Sequence, residues 1–575
     1  MNAQTASIPQ QRAPNNQNPS DSRRSFFSKV CAAGAAVIAS GSIFPKLTSG
    51  NHLENQAENV FHYNDTSRAD KAFHIRLKAA QQQRTLPIPP HPDNGDEKQY
   101  YNKIGNFSKG LPHNRIGEVD IFAYNSMLYA LYTGKPPDFE RISMGSPVDQ
   151  RRKLVNPQAA LAFSLEGTDS HALAIPPAPK LNSAEAAAEM VEDYWMAICR
   201  DIPFNQYDSN PVAQSAVSEL SSLSDFRGPK ISGQVTPQTL FRVEVPGALE
   251  GPYISQFLWK VPPFGATNID NKIITTTPDL NYMTRFDEWL KIQNGYTPTD
   301  SNQFETQRRY IRNGRDIGQW VHVDQLFQSY FQALLIMLSQ PSDDPYVSGI
   351  GAPFNQGNPY LKSDNQIGFG TFGGENVLSM LCDIATKALK GVWFQKWSVH
   401  RRLRPEAYAG LVHLRKTCKI PYPIDHEVLD SNALQQIYLQ YGSYLLPMAY
   451  PEGSPLHPSY GAGHATVAGA CVTILKAWFD ENYIIPNPVE ATSDGLSLVE
   501  YSGPALTVGG ELNKLATNIA IGRDHAGVHW RSDALASLYL GEAIAISVLK
   551  DQKLTYNEIF RGFTFTKFNG TIVNI

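Results

Sequence analysis

The stretch Ala465-Thr466-Val467-Ala468-Gly469-Ala470-Cys471-Val472-Thr473-Ile474-Leu475-Lys476-Ala477-Trp478-Phe479 is Ala-rich and apolar nearly all round. A helix without a polar stripe has to be buried on every side. Asp533–Leu549 has the same character, so the pair predicts a large helical core. Leu378, Leu381, Ala385, Leu389 and Val392 mark a further apolar stripe. Ile317 to Leu338 places Trp320, Val321, Val323, Phe327, Phe331, Leu334 and Leu338 at helical spacing. Asn182 followed by Glu185 reads as the start of a helix over 184–200. No two-residue alternation of comparable length competes. Stretches 201–280 and 340–374 are rich in Pro, Gly, Asn and Asp. The expected fold class is all-α with long loops.

Composition narrows the function. Length alone, at 575 residues, suggests about four domains. Lys plus Arg is 50 against 54 Asp plus Glu, a net charge of −4, without the basic excess that nucleic-acid binding needs. Charged residues are 18%, below the roughly 25% usual for soluble domains. Hydrophobic residues at 42% and aromatics at 11% exclude global disorder. Five Cys are too few for a disulfide scaffold, and no C-x-x-C or C-x-x-C-H occurs. No 18-residue apolar run follows residue 50, so no membrane span is expected.

Residues 1–21 are rich in Asn, Gln, Ser and Pro. Ser22-Arg23-Arg24-Ser25-Phe26-Phe27 and a weakly apolar stretch from Val30 to Phe44 follow. This resembles a twin-arginine export signal and implies a periplasmic or extracellular destination. The expected organisation is a leader over 1–45 and one large helical domain over 46–575. Cys31 would leave with the leader. Cys199, Cys382, Cys418 and Cys471 would remain in an oxidising compartment, open to pairing within or between chains.

Three segments carry chemistry. The first is Trp393-Phe394-Gln395-Lys396-Trp397-Ser398-Val399-His400-Arg401-Arg402-Leu403-Arg404-Pro405-Glu406. Lys and Arg eight apart on one helix lie within roughly 80° of each other, so both reach one anion, and Pro405 would end that helix. In isolation the segment also reads as a solvated basic helix end. The second is His457-Pro458-Ser459-Tyr460-Gly461-Ala462-Gly463-His464. It runs into the buried helix, whose first N–H groups make an anion site. His464 there suits acid–base work, or simple capping of a tight turn. The third is Gly522-Arg523-Asp524-His525-Ala526-Gly527-Val528-His529-Trp530-Arg531-Ser532-Asp533. Asp533 is placed to accept the ring N–H of His529, which alone reads equally as a satisfied core histidine. Together, Lys396, Arg404, Arg523, His464 and His529 form a shell for an oxyanion.

The order Lys-x7-Arg-Pro, Gly-His at a helix start, then Arg-x5-His-x3-Asp resembles the vanadium-dependent haloperoxidase and type 2 acid phosphatase superfamily. Trp393, His457-Pro458-Ser459-Tyr460 and Gly251-Pro252-Tyr253-Ile254-Ser255-Gln256-Phe257 resemble the algal and cyanobacterial bromoperoxidases within it. The resemblance implies two four-helix bundles and a vanadate site within 393–533. His529 would bond vanadium. Lys396, Arg404, Arg523, His464 and the Gly463 N–H would hold the vanadate oxygens. His464 would be the acid–base group, Lys396 would polarise peroxide, and Trp393 with His457 would form the halide pocket. Asp533 would orient His529. Hydrogen peroxide, bromide or iodide, and organic halogen acceptors would be the partners, and relatives suggest a homo-oligomer. A calcium loop at Phe354, Gln356, Asp364 and Gln366 is also implied, although one carboxylate in a Gly-rich loop equally fits a plain polar loop. One departure stands out. The family usually has Ser-Gly-His, and this chain has Ala462-Gly463-His464. The rival functions are a secreted acid phosphatase with His529 as nucleophile and a non-catalytic oxyanion-binding protein.

Overall fold

A computed structural model describes residues 66–341 and 349–575. The export motif and the boundary near residue 45 lie outside the described residues. The chain forms two compact units, one ending at Lys78 and one spanning Ala79–Ile575. Every site residue lies in the second.

Among the described residues, the helices of eight residues or more are α1 Thr66–Arg84, α2 Ile121–Thr133, α3 Ala184–Ile198, α4 Pro211–Ser222, α5 Phe286–Gln293, α6 Gly314–Val323, α7 Gln328–Leu338, α8 Gly374–Phe394, α9 Pro405–Thr417, α10 Asn432–Tyr441, α11 Gly463–Trp478, α12 Val508–His525 and α13 Arg531–Lys553. Among the described residues the named strands form only short antiparallel pairs, 263–264 with 267–268, 489–491 with 498–500 and 564–566 with 572–574. The fold is all-α. Helices α8, α11, α12 and α13 pack together around α11, and α4, α9 and α10 each touch α3.

α11 and α13 cross so closely that neither tolerates a side chain at the crossing. A Cβ on Gly541 would stand 2.0 Å from the Thr466 carbonyl oxygen, and one on Gly469 2.2 Å from that of Leu538. Backbone cannot yield as a flexible side chain does. Gly541→Val is therefore expected to cost more than the roughly 1–3 kcal/mol of ordinary overpacking, seen as a large drop in midpoint on thermal unfolding. An unchanged midpoint would contradict this packing. α13 is also long and apolar enough to span a membrane by length and composition, but most of its apolar window is buried within the protein.

Three local readings need correction. Ser183, not Asn182, caps α3, its Oγ accepting from the Ala186 N–H at 3.1 Å; it stands one residue nearer the first free N–H groups. The apolar run from Ile317 to Leu338 is two helices, because the chain turns extended at Asp324 after α6 and resumes at α7. Pro405 begins a helix instead of ending one. It occupies the first position of α9, where no N–H is needed.

Candidate active site

Lys396 and Arg404 do not share a helix. α8 runs on into a π-helical turn, Gln395–His400, and then breaks at Arg401 in a left-handed conformation (φ 42°). Trp397 anchors that turn, its ring edge-on to Phe107 with centroids 5.6 Å apart. Lys396 is thereby fully buried, with Nζ donating to the carbonyls of Pro458 (2.9 Å) and Ser459 (2.8 Å). Arg404, at the N-terminus of α9, donates to His457 O through Nε (3.1 Å) and Nη2 (2.9 Å) and to Val528 O through Nη1 (2.6 Å). Its Nη2 is also 3.0 Å from His457 Nδ1. Arg523, in the last turn of α12, donates from Nη1 to Val321 O at 2.5 Å, and its buried Nε has no partner.

The imidazoles stand among these cations. His529 lies in the loop between α12 and α13 and shares a proton with Asp533 through Nδ1 at 2.8 Å, which leaves Nε2 available. Asp533 also takes bonds from Ser459 Oγ, from Arg402 Nη1 (2.9 Å) and from the Trp530 N–H (3.3 Å). Burial, then Arg404, Lys396 and Arg523, hold His529 well below the ordinary histidine value. Neutral imidazole is the form that can ligate a metal. His464 opens α11, is 32% exposed, and bonds through Nε2 to Asp324 Oδ1 at 3.0 Å. Trp393 and His457 face each other with ring centroids 5.0 Å apart, and Lys396 Nζ lies 5.9 Å from the Trp393 ring.

The site has spare positive charge. Burial, then Arg404, pushes Lys396 well below its usual value, with Arg523 adding to the effect. Burial and Arg523 bring Arg404 down to about 9 although Asp533 pulls the other way. Like charges gathered in a dry site destabilise one another unless an anion joins them. Donors remain for one: two of the three Lys396 protons are used, and Arg523 has spent one of its five. The first-turn N–H groups of α11, Gly463 included, have no intrahelical acceptor, and no side chain caps that end. These residues fit a tetrahedral or trigonal oxyanion.

The chain is 36% identical to the vanadium-dependent bromoperoxidase of Corallina pilulifera over 600 aligned positions, covering 88% of this chain and 98% of that one. The chain belongs to the vanadium-dependent bromoperoxidase family. The Ascophyllum nodosum enzyme is 35% identical, with 88% and 92% covered. The solved homohexameric second bromoperoxidase from Ascophyllum nodosum superposes with a TM-score of 0.81 at 31% identity, covering 94% of this chain and 95% of that one. Residues 435–558 match the family profile described as the VCPO second helical-bundle domain. This bromoperoxidase-family chain is an enzyme, vanadate is its cofactor, and the oxyanion shell above suits that group.

Three partners escaped the sequence reading. Asp324 lies 140 residues from His464, and nothing local signals that pairing. Ser459 and Arg402 stood inside the quoted segments but were not singled out. Arg402 ties Asp533 to Glu189 at 2.8 Å and stacks on Trp530 at 4.6 Å; three arginines within four residues were its only signal. Phe354, Gln356, Asp364 and Gln366 lie around a short turn at Pro359–Lys362, with Gln356, Asp364 and Gln366 exposed. Cys199, Cys382, Cys418 and Cys471 are all free thiols, Cys199 and Cys471 buried, so of the two kinds of pairing left open, none within the chain is seen among the described residues.

Proposed function

We propose that this enzyme oxidises bromide and iodide with hydrogen peroxide to hypohalous acid, which halogenates organic acceptors, and that 393–533 holds the vanadate. The observation that carries the site is the set of buried like charges, Lys396, Arg404 and Arg523, gathered around the neutral His529. When bound, vanadate supplies a Lewis acid that activates peroxide for two-electron oxidation of halide without changing its own oxidation state. His529 Nε2 would bond the metal, with Asp533 fixing the ring through Nδ1. The three cations and the Gly463 N–H would hold and neutralise the oxygens of the group, and the remaining Lys396 proton would be free to polarise one of them. His464, held by Asp324 through Nε2, moves protons at Nδ1. Trp393 and His457 wall the halide position.

Bromination of monochlorodimedone with peroxide, compared with cleavage of p-nitrophenyl phosphate, tests this with and without added vanadate. Vanadate-dependent bromination is expected, with vanadium near one per chain; robust phosphatase activity without bromination would overturn the reading. The same metal analysis reads the proposed calcium loop at Phe354, Gln356, Asp364 and Gln366.

Ala462 bears on affinity. Ala462→Ser would add a hydroxyl that accepts from the α11 first turn and donates to the anion. A bond to a charged acceptor is worth about 1.5–3 kcal/mol. Vanadate should therefore bind about ten-fold tighter or more by equilibrium titration, and an unchanged Kd would place residue 462 out of reach of the anion.

The Arg23-Arg24 motif supports export by the twin-arginine route, tested by localising the full chain in cells lacking that translocase. The homohexameric relative supports assembly of several copies, read by light scattering.

A further inference from the structure

The end of α6 carries two groups that the site uses. The Val321 carbonyl accepts from Arg523 Nη1 at 2.5 Å, and Asp324 Oδ1 holds His464 Nε2 at 3.0 Å. The last carbonyls of a helix receive no intrahelical bond and lie at its negative end, so the Val321 oxygen is free to hold a cation. Helix ends also fray, and Asp324 already stands in extended backbone. Between Val321 and Asp324 stands His322. Its ring lies flat on that of Tyr450, with centroids 3.7 Å apart and planes 7° apart. Its Nε2 pairs with Glu452 Oε1 at 2.7 Å, and its buried Nδ1 has no partner, so the Glu452 bond sets the ring's rotation. Glu452 is itself anchored, because its carbonyl accepts from Lys109 Nζ (2.9 Å) and Arg152 Nη1 (3.0 Å). Tyr450 is buried and donates its hydroxyl to Gly318 O, one turn back on α6. The Arg523 guanidinium lies 5.7 Å from the Tyr450 ring. The segment 450–452 therefore grips α6 at two successive turns and flanks Arg523.

We propose that His322 is a positioning residue which, with Tyr450 and Glu452, locks the end of α6 and so aims both Arg523 and His464. One brace thereby sets anion affinity through the Val321 carbonyl and proton transfer through the Asp324 carboxylate. Its effect on turnover rests on the proposed reaction, and its effect on vanadate affinity does not.

His322→Leu keeps an apolar side chain at this place and loses both the bond and the flat stack. Glu452→Leu removes the same bond from the other side. Groups that merely orient a metal site cost about 10–100-fold when removed. For each variant, equilibrium titration of the vanadate-free chain should therefore give a Kd raised about ten-fold. At saturating vanadate, kcat for bromide oxidation should fall about ten-fold as well. Coupling separates this role from a general loosening of the fold. In an Asp324→Asn background, His322→Leu should lose most of its effect on kcat. In an Arg523→Met background, it should lose most of its effect on Kd. A loosened fold would instead cost the same factor in every background. Equal factors across backgrounds, unchanged Kd and kcat in the single variants, or a loss in only one of the two quantities would each overturn the proposal. A wild-type chain that binds vanadate without oxidising bromide would count against the proposed reaction, and the titrations would still judge the brace through Arg523.

Discussion

His529→Ala is expected to lose stably bound vanadium and, with it, bromination. Even the loss of a group that merely orients a metal ligand costs about 10–100-fold in affinity. Removing the ligand itself takes away the bond and the orientation together, so a loss beyond about 100-fold is expected. The scaffold should survive. Asp533 keeps Arg402, Ser459 and the Trp530 N–H when His529 Nδ1 is gone, so no carboxylate is stranded without partners. Vanadium per chain after desalting, together with bromination rate, checks this. A variant that brominates at the wild-type rate would remove His529 as the metal ligand.

His464→Ala separates binding from turnover. The anion would still meet Lys396, Arg404, Arg523 and His529, so vanadium content should stay close to the wild type. The proton exchange at His464 would be gone, and acid–base groups contribute about 10²–10⁴-fold. The expected result is a fall of that order in kcat for bromide oxidation. Asp324→Asn should fall between the two, since it leaves the imidazole in place and removes only the carboxylate bonded at 3.0 Å. If His464→Ala kept kcat while losing vanadium, the residue would be an anion holder and not a proton carrier.

What could be read from the sequence was what burial writes into composition. The Ala-rich stretch 465–479 became α11 because a helix enclosed on all sides carries no polar face, whereas 533–549 became α13 with one face open to solvent at Tyr539 and Ala543. The Gly-His start of α11 was visible for the same reason, as small residues running into an apolar helix. α12 was harder. It is buried along nearly its whole length yet carries Glu511, Asn513, Lys514, Asn518, Arg523 and Asp524, so its pattern does not look buried. The geometry between Lys396 and Arg404 could not be read either. A π-helical turn and a left-handed arginine leave no periodic signature, and Pro405 fits both the end of one helix and the start of the next. Asp324 was invisible because its partner is distant in sequence and its local setting, after an apolar helix, is ordinary.

The turn at Gln395–His400 sets a rule of length for anyone who would re-engineer this protein. Side chains around it can be exchanged one at a time, each with its own graded effect. The number of residues cannot. A single deletion between Trp397 and Arg401 would let the chain wind as a regular helix and re-aim everything after it by about 100°. The bond from the Phe107 N–H to Arg401 O (2.7 Å) and the approach of Arg404 to His457 would be lost in one step. Libraries built by substitution can explore this site; those that shorten or lengthen it by one residue should return inactive chains almost without exception.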